Sequence, residues 1–496
     1  MTDMYEIEES NYPTFKAVGN ALWRAPGWLG RGVIRVWRRV WRFVVALLAL
    51  LILAHLILNI VAGRRLEAEL NRIRAAGQPL TLAEAAPPKV PDSQNAAPLY
   101  QQAFNGLRKP EADEDIAAAF PGLGTLKSRP TLAEVEAVLA RHRADFRLLE
   151  EASRRPACRF PVNWEAGLAA TFPHYAGVRG ATRFLTAKAL VEAKRGRAAE
   201  ALNDLAIEVR LVNHIGAEPT LIAQLVRIAC TAIAFWYVPE ILAAAPPSEA
   251  ESRALYDLLS EVDTRGRFIP VIETERAFGI SFFDEVRRAG PATLGRLYRP
   301  PGVEYRHRLG WGDVLDRGWP VLRWVWEPLL KLEEVYYLRY TRETIAKAAA
   351  LVKMPYPQAR EGLRQLEVAP IRAPRYVLVS YALLPLPLQA FQRVVESDAM
   401  VGLMRGALAL RAYQIEHGDY PASLAELKAR GGWPIADDPF SGKPFVYRRE
   451  GKGYILYSVG WDGIDNGGIS QGEAIRKAGM VNWRWVQYDI PLRMPR

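Results

Sequence analysis

From Phe43 to Ala62 the chain reads FVVALLALLILAHLILNIVA, twenty residues without a formal charge. A helix of this length covers about 30 Å, the hydrocarbon thickness of a bilayer. The pattern predicts a transmembrane helix, apolar on every side. Within it His55 and Asn59 lie four apart on one face, where polar side chains can meet a second helix. The charged run RRLEAELNRIRAA at 64–76 extends the helix until Gly77 and Pro79 stop it. From Thr81 to Asp92 the chain is rich in Pro and Ala and reads as a spacer of partly polyproline character.

Helical periodicity then dominates to about residue 365. Ala97, Tyr100, Ala103 and Phe104 mark one helix; Leu132, Val135, Val138, Leu139, Phe146 and Leu149 mark a long one over 131–153. Residues 180–216 read as two amphipathic helices around a Lys-Arg-Gly-Arg turn, as in a tetratricopeptide-type hairpin, without a second copy at that period. Further helices are expected near 218–244, 249–263, 268–289, 312–349 and 357–366. Tyr376–Phe391 is apolar but short and holds Pro385 and Pro387, so it reads as a kinked approach to the next helix rather than a second span. That helix, 396–416, ends at His417-Gly418, and two strands at 445–447 and 454–459 flank the turn Glu450-Gly451-Lys452-Gly453. The expected fold is mainly α: an N-terminal transmembrane helix, an α-helical extracytoplasmic domain and a small C-terminal α+β domain. The boundaries fall at 1–42, 43–62, 63–92, 93–392 and 393–496.

Charge sets the orientation. Of the net +11, residues 1–65 supply nine Lys/Arg against four acids, or +5, leaving +6 thinly spread over the other 431 residues. That distribution excludes the concentrated basic face of a nucleic-acid binder. Six arginines in the twenty residues before the span outnumber four in the twenty after it, which places the N-terminus in the cytoplasm and the bulk of the chain outside. The expected site is the inner (cytoplasmic) membrane, with the lipid bilayer as one partner. Trp23, Trp28, Trp37 and Trp41 among these arginines read as an interfacial segment. Small residues at the positions a signal peptidase needs are lacking, so the span reads as an uncleaved signal-anchor.

The chemistry-bearing residues name no reaction. Two cysteines exclude a disulfide-rich scaffold and a cysteine-based zinc module; Cys158 and Cys230 are either one disulfide or two buried thiols. Six histidines are scattered, and no phosphate-binding, dinucleotide, metalloprotease or nucleophile-elbow motif occurs. Glu273, Glu275, Asp284 and Glu285 with Arg276, Arg287 and Arg288 have the spacing of surface ion pairs, as do Glu333, Glu334, Arg339, Arg342 and Glu343. Trp311, Trp319, Trp324, Trp326, Tyr336 and Tyr337 read as helix packing, with a ligand groove as the alternative.

The end of the chain carries three motifs in order: H-G-D-Y-P at 417–421, D-P-F-x-G-K-P at 438–444 and Y-S-V-G-x-D-G-x-D-x-G-G at 457–468. With the helix before them, these resemble the globular domain of the major pseudopilin of type II secretion systems, over roughly 100 residues. The phrases PDSQNAAPLYQQA, FPHYAGVRGATRFLTAKALVEAKRG and TERAFG make the whole chain look like large membrane-anchored proteins of unassigned function in planctomycete-like bacteria. The pseudopilin resemblance implies a calcium ion in the last loop, held by Asp462 and Asp465 with Asp489 as a further carboxylate. Asn466 adds an oxygen, and Gly463, Gly467 and Gly468 permit the required turns. An Asp/Gly turn that only caps strands is the alternative. The prepilin-peptidase site of that family is lacking, and more than 300 residues separate the span from the motifs, so filament assembly is not expected. The expected function is non-enzymatic: an envelope scaffold or interaction protein whose partners are envelope or pilin-like proteins. A hydrolase with its site in a helical groove is the alternative.

Overall fold

A computed structural model describes residues 27–108, 131–290, 311–368, 377, 379–383, 387–470, 473 and 489–494. The basic tail before Gly27, the side chains of Trp28, Trp311 and Trp319, and much of 376–391 lie outside the described residues. The protein is mainly helical and begins with one strongly apolar helix, α1 (Gly27–Ala75). At 49 residues α1 is about 74 Å long. It joins span and charged extension in one rod, because the one glycine at their junction, Gly63, costs too little to break it. Its apolar stretch is long and apolar enough to cross a membrane, and none of its most apolar window is buried.

From Ala62 onward the rod is docked. Ala62 and Ile73 are buried, and Leu66, Leu70 and Ile73 pack with Phe282, Phe283, Leu330 and Leu338. Glu69, also buried, meets Arg72 on its own helix and Arg339 and Arg342 at 3.5 and 3.3 Å on another. The Pro/Ala-rich segment packs too. Leu80 and Leu82 are buried, and Thr81 caps the short α2 (Leu82–Ala85) by accepting from Glu84 N.

The helical body follows with α3 (Ala97–Leu107), α4 (Leu132–Arg141) and α5 (Arg143–Ser153). The one helix expected over 131–153 is broken at His142, whose Nδ1 meets Asp145 Oδ2 at 2.8 Å. Next come α6 (His174–Lys194) and α7 (Ala198–Gly216), the hairpin that the Lys-Arg-Gly-Arg turn predicted, and α8 (Leu221–Ala244). Although α8 also has the length and composition of a span, half of its apolar window is buried, and it packs on α6 and α7 as a core helix. Then follow α9 (Glu249–Ser260), α10 (Phe268–Ala289), α11 (Trp311–Leu351), α12 (Tyr356–Val368), α13 (Val379–Leu383), α14 (Pro387–His417) and α15 (Leu424–Arg430).

Among the described residues the strands β1 (Val446–Glu450), β2 (Gly453–Ser458) and β3 (Ile490–Met494) form one antiparallel sheet in that order. The register pairs Glu450 with Gly453, so Gly451 and Lys452 make the two-residue hairpin turn. The sheet lies on α14, where Gly402 and Gly406 leave room for it: a Cβ there would stand 2.9 Å from Phe445 and 2.8 Å from Leu456. The other side of α14 packs on α8, α9 and α12. One apolar core thus runs from Ala189 through Phe235, Phe391 and Leu408 to Leu456 and Leu492, across position 393 without a break.

Gly279 on α10 faces the Oη of buried Tyr337 on α11, and an added Cβ would lie 2.0 Å from that oxygen. Gly279→Ala should therefore destabilise the protein by about 1–3 kcal/mol through overpacking, against the usual helical gain from alanine. A denaturant titration of the detergent-solubilised chain that gives equal or higher stability contradicts this packing.

Candidate functional site

The acidic loop after β2 is built from the turn before it. Asp438 opens the D-P-F-x-G-K-P turn and is buried. Its carboxylate accepts from Phe440 N at 3.0 Å, Ser441 Oγ at 3.1 Å, Ser458 Oγ at 2.6 Å and Val459 N at 3.2 Å. These bonds weld the turn to the end of β2 and occupy the carboxylate. In the sequence Asp438 stands only as the first residue of the D-P-F-x-G-K-P motif, although Asp before Pro at a turn is the signal for such a role.

Of the four residues expected to hold calcium, two carboxylates share one stretch of backbone. Asp465 Oδ1 accepts from Tyr457 Oη at 2.7 Å and Gly467 N at 2.8 Å. Asp489 Oδ2 accepts from Asn466 N at 3.1 Å and Gly468 N at 2.7 Å. Burial, with the charge of Asp465 added, pushes the Asp489 carboxyl up to about 6, against the pull of those amides. Asp462 closes its own turn by accepting from Ile464 N at 3.0 Å, and its Oδ2 is buried without a hydrogen-bond partner. The Asn466 side chain donates to Ile464 O at 3.0 Å. Among the described residues no three His, Cys, Asp or Glu side chains form a metal-ligand group. The donors are all hard oxygens, as calcium prefers, and the orphaned Asp462 oxygen is an open acceptor.

The helical body holds two further polar clusters. In the first, His174 Nε2 lies 3.0 Å from Glu218 Oε1, and Tyr175 Oη donates to Glu218 Oε2 at 2.7 Å and meets Thr220 Oγ1 at 2.9 Å. Phe160 stacks on the His174 ring at 4.1 Å. His174 borders a 350 Å³ cavity with Gln101, Asn105 and Arg108. In the second, Lys188 Nζ holds both oxygens of Asp204, at 2.8 and 2.7 Å, on the wall of a 720 Å³ cleft that Arg143, Arg147, Glu150 and Glu192 also line. Burial pushes Asp204 up to about 7, with Lys188 opposing it. One turn further along α7, Glu208 accepts from Thr186 Oγ1 at 2.8 Å, its other oxygen is unpartnered, and burial raises it to about 8. Nothing in the residue spacing marked these sites, because their partners come from different helices.

Part of the acid–arginine groups stands as expected, with Asp284–Arg287 and Glu285–Arg288 paired three apart and Asp284 and Arg288 exposed, while the others are clamps between elements. Arg276 is buried and donates to Gln78 Oε1 at 2.9 Å and Pro79 O at 3.3 Å. Glu275 accepts from Leu221 N at 3.1 Å, and burial raises its carboxyl. Glu333 accepts from Ser380 N at 2.9 Å, and buried Glu334 pairs with Arg287. Of the aromatic group, Tyr337 packs on Phe283 in the core, while Trp324 and Trp326 are exposed. Cys158 and Cys230 are buried free thiols, and burial pushes Cys230 up to about 12.

The chain is thus a mainly helical body packed against one membrane-length apolar helix, with a helix-backed sheet and an acidic loop at its end. No family model, no curated protein and no solved structure matches the chain.

Unfolded, Glu208 titrates near 4.5; folded, near 8. The stability it contributes is complete below about pH 4.5 and is lost as pH rises through about 8. Glu208→Gln keeps the acceptor for Thr186 and carries no charge. It should match the parent below about pH 4 and exceed it by up to about 5 kcal/mol at about pH 9, read by urea titration. A gap that does not widen with pH counts against a protonated Glu208.

Proposed function

We propose that this protein is a membrane-anchored extracytoplasmic scaffold or interaction protein, serving a type II secretion-like or surface-assembly system, with a C-terminal loop ordered by calcium. The observation that carries this reading is the acidic loop. Asp465 and Asp489 converge on the amides of 466–468, and Asp489 is held near pH 6 by burial and its neighbour's charge. A divalent cation relieves that repulsion. The residues that would hold it are Asp462, Asp465, Asn466 and Asp489, and its role would be to order the loop rather than to react. The succession of long helix, antiparallel hairpin and acid–glycine loop supports the pseudopilin-like reading of this end of the chain. The exposed apolar stretch of α1 supports the anchor, and the arginine excess before it supports a cytoplasmic N-terminus.

The test is a thermal melt of the detergent-solubilised full chain in EDTA and in millimolar calcium. The full chain is required because α14 is shared between the sheet and the helical body. Binding to the folded state at 100 times Kd adds about 2.7 kcal/mol. The shift should appear in the parent and vanish in Asp465→Asn and Asp489→Asn. A shift that survives both substitutions, or none in the parent, removes calcium from this loop.

One observation favours the hydrolase as a second reading: Lys188 and Asp204 stand paired on the wall of the 720 Å³ cleft, with Asp204 near neutrality as acid–base work requires. That reading expects any ester or peptide hydrolysis found in a substrate screen to fall at least about 100-fold in Asp204→Asn. Hydrolysis that persists there discards the cleft as its source.

A further inference from the structure

The apolar stretch of α1 is not alone. Three contacts along α1 and α11 advance in the same direction: His55 stacks on Trp324 with ring centres 4.0 Å apart, Asn59 Oδ1 accepts from Lys331 Nζ at 2.9 Å, and Glu69 meets Arg342 at 3.3 Å. The two helices therefore run parallel, and α11 continues past the docked part of α1 to lie beside its apolar stretch. From His55 to Ala62, the end of that stretch, is seven residues, or about 10 Å along the helix. Trp324 thus stands about 10 Å inside the apolar zone, in the outer part of the leaflet.

The side chains here are sorted accordingly. Trp324, Val325, Trp326 and Leu329 are between 38% and 50% exposed, an apolar surface continuous with the exposed residues of α1. Of the charged groups here Glu327, Lys331 and Arg287 are turned inward to one another, while Arg323 is half exposed. Glu327 is 3.5 Å from Lys331, 3.9 Å from Arg323 and 3.7 Å from Arg287, and Lys331 also holds Asn59. A water-facing helix would show the reverse pattern, with charges outward and tryptophans covered.

We propose that the turn of α11 around Trp324, Val325, Trp326 and Leu329 is a second membrane contact, inserted in the leaflet next to the body and facing acyl chains. This rests on the reading that α1 crosses a membrane. If it does, the 4.0 Å contact with His55 puts Trp324 in the same slab. The tryptophans then sit at the level where indole is most favourable, with apolar rings in lipid and N–H groups near the headgroups. The Asn59–Lys331–Glu327 cluster marks the boundary with water. Held at two places, the body has a fixed orientation over the bilayer.

The test places an environment-sensitive fluorophore on single cysteines of the full chain in phosphatidylcholine nanodiscs. Trp326→Cys and Val325→Cys report on the proposed face, Leu53→Cys on the apolar stretch and Glu343→Cys on a water-exposed position of α11. The native thiols are buried, and labelling the unsubstituted chain checks that they stay unlabelled. Positions 325 and 326 should give blue-shifted emission, quenched more by lipid spin-labelled near the headgroup than near the chain end; position 53 should show the opposite order. If 325 and 326 read like 343 while 53 is quenched, the contact is refuted and the span stands. Blue-shifted but unquenched emission at 325 and 326 means that protein covers the face, which also overturns the proposal. If 53 itself escapes quenching, the span fails and the contact fails with it.

Discussion

A buried carboxylate sets how the apolar rod meets the body. Glu69 lies in the part of α1 that leaves the apolar stretch, and arginines from α1 and α11 converge on it. Removing a charge from water is costly unless it is paired, so this helix face can dock against the arginines and few other surfaces. Around it Leu66, Leu70 and Ile73 bury their side chains against α10 and α11. Burial supplies the attraction and the ion cluster supplies the register. The chain has no slack at this point: Gln78 and Pro79 are held by Arg276, and Leu80 and Leu82 are inside.

The second organising element is α14. Its glycine face admits the sheet at close range, and its other face closes the core of the helical body. A helix buried on both sides transmits position from one packed layer to the other, since close-packed interiors deform little. The acidic loop is therefore tied through β2 and Asp438 to the core of the helical body, whereas α1 docks through a separate apolar cluster around Ile73, Phe282 and Phe283.

Much of the secondary structure was legible in the sequence. Hydrophobic period placed α6, α7, α10, α11 and α12 within a few residues, and the Gly-containing turns between α6 and α7 and between β1 and β2 stand where composition put them. The break at His142 was not legible, because the apolar positions of α4 and α5 continue one period across it. The candidate loop was legible as composition only. Asp465 and Asp489 are 24 residues apart and meet through the amides of 466–468, and Asp438 reaches the same region from the preceding turn.

What the sequence determined by itself was local: one uninterrupted apolar helix, a succession of amphipathic helices and a hairpin followed by an acid–glycine loop. These depend on period, charge and turn chemistry over a few residues, which any stretch of chain carries with it. Tertiary structure decided which charges are inside. Arg276, Glu275, Glu333 and Glu334 have the spacing of surface ion pairs, yet each is turned inward to a partner from a distant segment. It also decided that Asn59 and His55 find Lys331 and Trp324, and that Glu208 and Asp204 lie in a low-dielectric interior. Burial is set by what packs over a residue, and the covering helices lie far away along the chain.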